Sequence, residues 1–190
     1  DEFIALAYLN RVELFSNGFY KTPKIHFDVV KQKGRPFFYY SYGGCVSEVI
    51  VDCLTGEYKL LGVDILHDVG ASLNPAIDTG QIVGGYIQGM GWLCSEELKW
   101  SDSGALLTSG ASTYKIPAIG DTPEHFEVKI KPNISNHENT IHKSKAVGEP
   151  PLMLAISTWL SIKNAIFNAD KENITGLNAP ASFEQVFFSL

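Results

Sequence analysis

The sequence predicts an α+β fold in which antiparallel hairpins pack against two main helices. Three observations carry that expectation. Aromatic and β-branched runs are broken by turn residues at 54–57 and 101–104, the pattern of two hairpins. Apolar residues recur at helical spacing after Gly80 and again after Pro151. Residues 125–132, HFEVKIKP, alternate strictly, with Phe126, Val128 and Ile130 on one face of a half-buried strand.

The bulk properties fit that class. With 190 residues, 45% of them hydrophobic and 19% charged, the chain can bury a sizeable core and is not of the disordered type. A net charge of −6 speaks against nucleic-acid binding, which calls for a basic face. No apolar run reaches the length of a membrane span, and no basic-then-apolar leader opens the residues given. Cys45, Cys53 and Cys94 are odd in number and show no C-x-x-C spacing. They read as buried free thiols in a reducing, cytoplasmic setting, with neither disulfides nor a zinc or iron–sulfur site. The chain starts at Asp1 without a methionine and already in a helix pattern, which predicts a start inside a longer protein.

In chain order, Phe3, Ile4, Leu6, Ala7, Leu9 and Val12 predict a helix that stops near Ser16-Asn17-Gly18. A polar link follows at residues 31–36. Residues 37–53 read as a strand interrupted at Gly43-Gly44, returning through 58–68 as the other arm of a hairpin. The loop at 68–79 is dense in Gly, Ser, Asn and Pro, and a helix is expected from about Gly80, with Ile82, Tyr86, Ile87, Met90 and Leu93 apolar. Asp78 and Gln81 stand three apart, as in a capping box. Gly80, Gly84, Gly85, Gly89 and Gly91 each cost about 1 kcal/mol in a helix relative to alanine. They imply close approach of the backbone either to a packed neighbour or to a large, rigid ligand near the helix start.

Residues 97–100 and 105–108 predict the second hairpin, and 109–123 are irregular. The loop at 133–142 holds His137, Glu138 and His142, whose spacing matches no helical ligand pair, so no metal site is assigned. The triplets Asn133-Ile134-Ser135 and Asn173-Ile174-Thr175 carry little weight without a secretion signal. Glu149 directly precedes Pro150 and Pro151, and Leu152, Ile156, Trp159, Ile162 and Ile166 then recur at helical spacing. A residue before proline is biased to an extended conformation, so Glu149 is expected outside the first turn, aimed outward from the start of a buried helix. Free N–H groups and the helix dipole there favour its ionised form. Such a carboxylate suits a general base, although an acidic residue near a helix start is also a common stabilising choice. Residues 170–178 read as a polar loop and 182–190 as a short helix or strand.

Three segments taken together, DVGASLNPAIDTGQIVGGYIQGMGWLCSEEL, STYKIPAIGDTP and SKAVGEPPLMLAIS, resemble the C-terminal part of the molybdopterin-binding portion of the xanthine dehydrogenase and aldehyde oxidase family. GFYKTPKIHFD and GRPFFYYSYGGCVSEV are most similar to the separate molybdenum-binding subunit of bacterial xanthine dehydrogenases. The resemblance implies that residues 1–190 are a C-terminal portion of a larger molybdopterin-binding domain. It implies a molybdenum hydroxylase in which Glu149 is the general base and Gln81, with Gly80 and Gly148, lies against the pterin. It also implies FAD and 2Fe–2S clusters on other domains or subunits, a purine or aldehyde substrate, and an oligomer completed by the remainder of the molybdenum subunit. No residue here is implied as a metal ligand.

Overall fold

The computed structural model describes residues 1–169 and 176–190. Two compact units divide the chain, Asp1–Phe38 and Tyr39–Leu190. The Asn173-Ile174-Thr175 triplet and most of the loop expected at 170–178 lie outside the described residues.

In the first unit, α1 spans Glu2–Leu9, and strands β1 (His26–Asp28) and β2 (Lys33–Arg35) form a two-stranded antiparallel ribbon. The helix ends well before the expected Ser16-Asn17-Gly18. Asn10 closes it by donating its side-chain amide to the Leu6 carbonyl at 2.8 Å, and Arg11 turns to a φ of 53°. None of the helix's residues is buried.

The second unit holds the hydrophobic core. Strands β3 (Gly43–Val51) and β4 (Tyr58–His67) form the first expected hairpin. Its turn is set by Asp52, whose carboxylate accepts from Leu54 N at 2.8 Å, and by Gly56 at a φ of 77°. Gly43-Gly44 begins β3 and does not interrupt it. One residue of β4, Leu61, is extra: Val49 faces Leu60 while Glu48 faces Gly62. This bulge flips the side-chain phase of the strand. Before it Leu60 points inward, and after it Val63, Ile65 and His67 do.

β5 (His125–Ile130) has the expected half-buried alternation, but it pairs parallel to β4, so the three-stranded sheet is mixed and not built of antiparallel hairpins alone. The second expected hairpin contracts to a single bridge, Trp100 to Leu106, closed by Ser101 N donating to Ala105 O at 2.9 Å.

Helix α2 (Pro75–Cys94) starts five residues before Gly80. Its N-cap is Asn74, whose side chain accepts from Ala76 N at 3.2 Å and Ile77 N at 3.3 Å, with Pro75 in the first position. The capping box expected from Asp78 and Gln81 is therefore not the helix start. Asp78 sits within the first turn and accepts from Ser72 Oγ at 2.5 Å.

After Glu149 the chain makes a 3₁₀ segment, Pro150–Ala155, that runs into α3 (Ile156–Ala169). A 3₁₀ turn holds about 3.0 residues against 3.6 in an α-helix, so it rotates the face that follows. The buried stripe is Pro151, Ala155, Thr158, Ile162 and Ile166, and Ile156, expected inside, is 40% exposed. The chain closes with α4 (Phe183–Phe187), capped by Ser182.

The core gathers Leu60, Val63 and Ile65 from the sheet, Ile82, Tyr86 and Met90 from α2, Ile162 and Ile166 from α3, and Val186 from α4. Within it, Ser47 Oγ lies 2.6 Å from Ser157 Oγ and 3.1 Å from Tyr86 Oη, and Tyr86 also bonds to Thr158. This hydroxyl cluster ties β3, α2 and α3 together. Of the three cysteines, Cys94 is buried, Cys45 half-buried and Cys53 exposed, which corrects the expectation of three buried thiols. No helix among the described residues is long and apolar enough to cross a membrane.

Candidate functional site

Glycines divide α2 into two faces. On the packed face, a Cβ at Gly85 would lie 3.1 Å from Pro151 Cβ; at Gly89 it would overlap the Leu152 carbonyl oxygen and come within 2.9 Å of Ala155 Cβ. These two glycines let the 3₁₀ segment that follows Glu149 lie directly on α2. On the other face, Gly80 and Gly84 have nothing within 4 Å of a built Cβ, and both are exposed. Close helix packing thus accounts for Gly85 and Gly89, while Gly80 and Gly84 are left on an open, exposed face.

Gln81 stands beside that open face, exposed, and its Oε1 would lie 3.4 Å from a Cβ at Gly148. Glu149 follows directly. Its carboxylate is exposed and makes no cap hydrogen bond to the helix start. The backbone of Glu149 is helical, with φ −95° and ψ −42°, and not extended as its place before proline predicts. The reason is local: its carbonyl accepts from Leu152 N at 3.2 Å, the first bond of the 3₁₀ turn, which requires that conformation. Gln81 and Gly148 are thus brought together where α2 meets the start of the 3₁₀ segment, with Glu149 next in sequence, while Gly80 lies on the exposed face with nothing among the described residues within 4 Å of a built Cβ.

Sequence reasoning missed the pair that underlies this place. Asp68 and Lys145 form an ion pair of 2.5 Å, with side chains only 6% and 7% exposed. The neighbouring His67 is buried, and desolvation lowers its pKa from the ordinary imidazole value. The sequence signal was present: Asp68 and Lys145 each stand at the head of a motif segment, a charge among apolar and small residues.

Two other features lie elsewhere. A cavity of about 650 Å³ lined by Tyr58, Met90, Cys94, Pro117 and Phe183 includes none of the four candidates. On the exposed sheet face, Asp64, His125 and Glu127 bring ligand-type atoms within 4.8 Å of one another. Surface ion pairing explains that group: His125 Nε2 is 3.1 Å from Asp64, and Glu127 is 3.0 Å from Lys129 Nζ.

Residues 1–123 match the family model of the molybdopterin cofactor-binding domain. The chain belongs to that family. It is 47% identical over 193 residues to a xanthine dehydrogenase/oxidase of Felis catus, an alignment that covers 98% of this chain and 14% of the relative. A xanthine dehydrogenase of Oryza sativa is 44% identical over 196 residues, covering 97% of this chain and again 14% of the relative. Among solved structures, the aldehyde oxidoreductase of Desulfovibrio gigas is similar with a TM-score of 0.70 and 29% identity, over 87% of this chain and 17% of that one. The chain thus spans a small part of the length of the relatives it matches.

The donor set fits the cofactor the family binds. The open glycine face offers backbone that a flat heterocycle can approach, and Gln81 beside it supplies an amide donor and an amide acceptor.

Proposed function

We propose that this chain forms one wall of the molybdenum site of a xanthine dehydrogenase-type hydroxylase, with Glu149 as the general base. The observation that carries the reading is the free Glu149 carboxylate, exposed and uncapped at a helix start, next to Gly148 and Gln81 at the open glycine face of α2. The net reaction converts an electron-poor C–H and water into C–OH, two protons and two electrons. When bound, the molybdenum–pterin group supplies the redox chemistry and acidifies the water-derived oxygen.

The chain's own residues do the rest. Glu149 accepts one of the protons at its carboxylate, and only moderate basicity is required of it. Pro150 and Pro151, the latter packed on Gly85, limit how far the base can move. Gln81 holds the polar edge of the pterin, while Gly80, Gly84 and Gly148 leave room for its plane. The electrons leave through 2Fe–2S clusters to FAD on other domains or subunits of an oligomeric, cytoplasmic enzyme.

The substrate in this reading is a purine, hypoxanthine or xanthine, oxidised to urate. Identity of 44–47% to xanthine dehydrogenases, against 29% to an aldehyde oxidoreductase, favours it over an aldehyde or another N-heterocycle. Turnover of the complete enzyme on a panel of xanthine, hypoxanthine and aldehydes tests the choice. A kcat/KM that is highest for a purine is the expected result, and preference for an aldehyde overturns it.

A further inference from the structure

The two motif segments that frame the site, one opening at Asp68 and one at Ser144, are joined by a buried ion pair. Lys145 Nζ donates to Asp68 Oδ2 at 2.5 Å and to the Tyr40 carbonyl at 2.9 Å, and it lies 5.2 Å from the centre of the Tyr42 ring. Every N–H of the ammonium thus has a partner direction: a carboxylate, a carbonyl or a ring face. Asp68 is equally engaged. Its Oδ1 accepts from Gly70 N at 2.8 Å, and its own N–H donates to the Tyr42 carbonyl at 2.8 Å.

The backbone around Lys145 follows the same seam. Lys145 N donates to Val69 O at 2.9 Å, Ala71 N to Lys143 O at 3.0 Å, and Ala146 N to Tyr39 Oη at 2.8 Å. Gly70, at a φ of 64°, permits the approach: a Cβ there would meet Lys143 O at 2.6 Å. Glu149 lies four residues beyond this anchor, and its carboxylate makes no cap hydrogen bond that would locate it.

A buried ion pair is weak evidence for stability, because desolvation offsets most of its Coulomb attraction. A well-packed apolar pair would hold two segments together as firmly. What the ionic pair adds is direction, because a short charge-assisted bond with satisfied partners fixes register as well as contact.

We infer that Asp68 and Lys145 are positioning residues that set the register of residues 143–149, and with it the placement of the Glu149 carboxylate. The inference rests on the reading of Glu149 as the base. It adds that the base is aimed by a pair outside its own helix, one partner in the loop after β4 and the other ahead of the 3₁₀ segment. Displacing a catalytic group by about 1 Å costs on the order of 10²-fold in rate.

The test uses the complete enzyme with both partners neutralised, Asp68→Asn together with Lys145→Met, so that no buried charge is stranded. Three quantities are measured: kcat per bound molybdenum, KM, and backbone hydrogen exchange over residues 145–149 in the metal-free enzyme. The expected result is a fall of about 10²-fold in kcat per molybdenum with KM little changed, and faster exchange confined to that segment. Unchanged exchange overturns the inference, and so does a wild-type kcat per molybdenum. If the variant takes up no metal, the exchange measurement decides alone. Glu149→Gln is assayed in parallel. Should it keep wild-type turnover, the reading of Glu149 as base fails, while the exchange result still reports on whether the pair holds the segment. Should it lose activity while the double variant keeps it, only the positioning role fails.

Discussion

A carboxylate that accepts no hydrogen bond is placed by the backbone on either side of it. For Glu149 those sides are the Asp68–Lys145 seam before it and two prolines after it. The contrast with the cysteines shows how environment divides residues of one type. Burial pushes the Cys94 thiol up to about 11, whereas Cys53 is exposed. The thiolate is the reactive form, and at about pH 8 roughly one in a thousand Cys94 side chains would carry it. Brief alkylation of the native protein should therefore label Cys53 and spare Cys94, read by peptide mass spectrometry. Equal labelling would contradict the burial of Cys94. The same shift has a consequence for stability. Because the folded value lies above the unfolded 9.0, the contribution is complete below pH 9 and is lost as pH rises towards 11. Melting temperature should fall across that window by the equivalent of roughly 2–3 kcal/mol. Cys94→Ala should flatten the lower part of the fall, and Tyr58, also raised by burial, should account for a further part at higher pH.

At the scale of elements, α2 and the 3₁₀ segment form one packed unit, and the glycines of α2 make opposite predictions on its two faces. Gly89→Ala gains about 1 kcal/mol of helix propensity. It also drives a methyl group into the Leu152 carbonyl and Ala155, an overpacking that costs about 1–3 kcal/mol. Its net effect on the complete enzyme should be a lowered melting temperature. Gly84→Ala meets no contact within 4 Å among the described residues, so the fold should be kept while molybdenum occupancy falls. Full metal loading of Gly84→Ala would show that the open face is not where the pterin lies. The sequence made this helix legible through Ile82, Tyr86 and Met90, but which glycines pack depends on where a segment 60–70 residues away crosses it, and spacing carries no such information. Other elements were illegible for equally specific reasons. One extra residue, Leu61, inverts the phase of β4 and turns His67 inward. The parallel partner of β5 is a non-local choice, as is the pairing of Asp68 with Lys145 across 77 positions. At Glu149, a local rule about prolines gave way to the first hydrogen bond of a 3₁₀ turn. The motif segments were legible by resemblance, and the Asp68–Lys145 pair that joins two of them was not.

For the molecule as a whole, apolar exposure is high in the unit Asp1–Phe38: Phe3 is 80% exposed and Phe19 91%. Side chains of that size are seldom left in water in such number, and they suit an interaction surface. The matched relatives extend far beyond this chain, which covers 14% of their length. Residues 1–190 alone should accordingly neither retain molybdenum nor oxidise xanthine. Stoichiometric metal with xanthine-dependent dye reduction in the isolated chain would overturn that expectation. The central claim, that Glu149 is the general base, is tested most directly by Glu149→Gln in the complete enzyme, with kcat/KM for xanthine normalised to bound molybdenum. The substitution keeps size and removes the basic site, so a fall of about 10²–10⁴-fold is expected at unchanged metal content and fold. A fully loaded Glu149→Gln enzyme that turns over xanthine at the wild-type rate would contradict it.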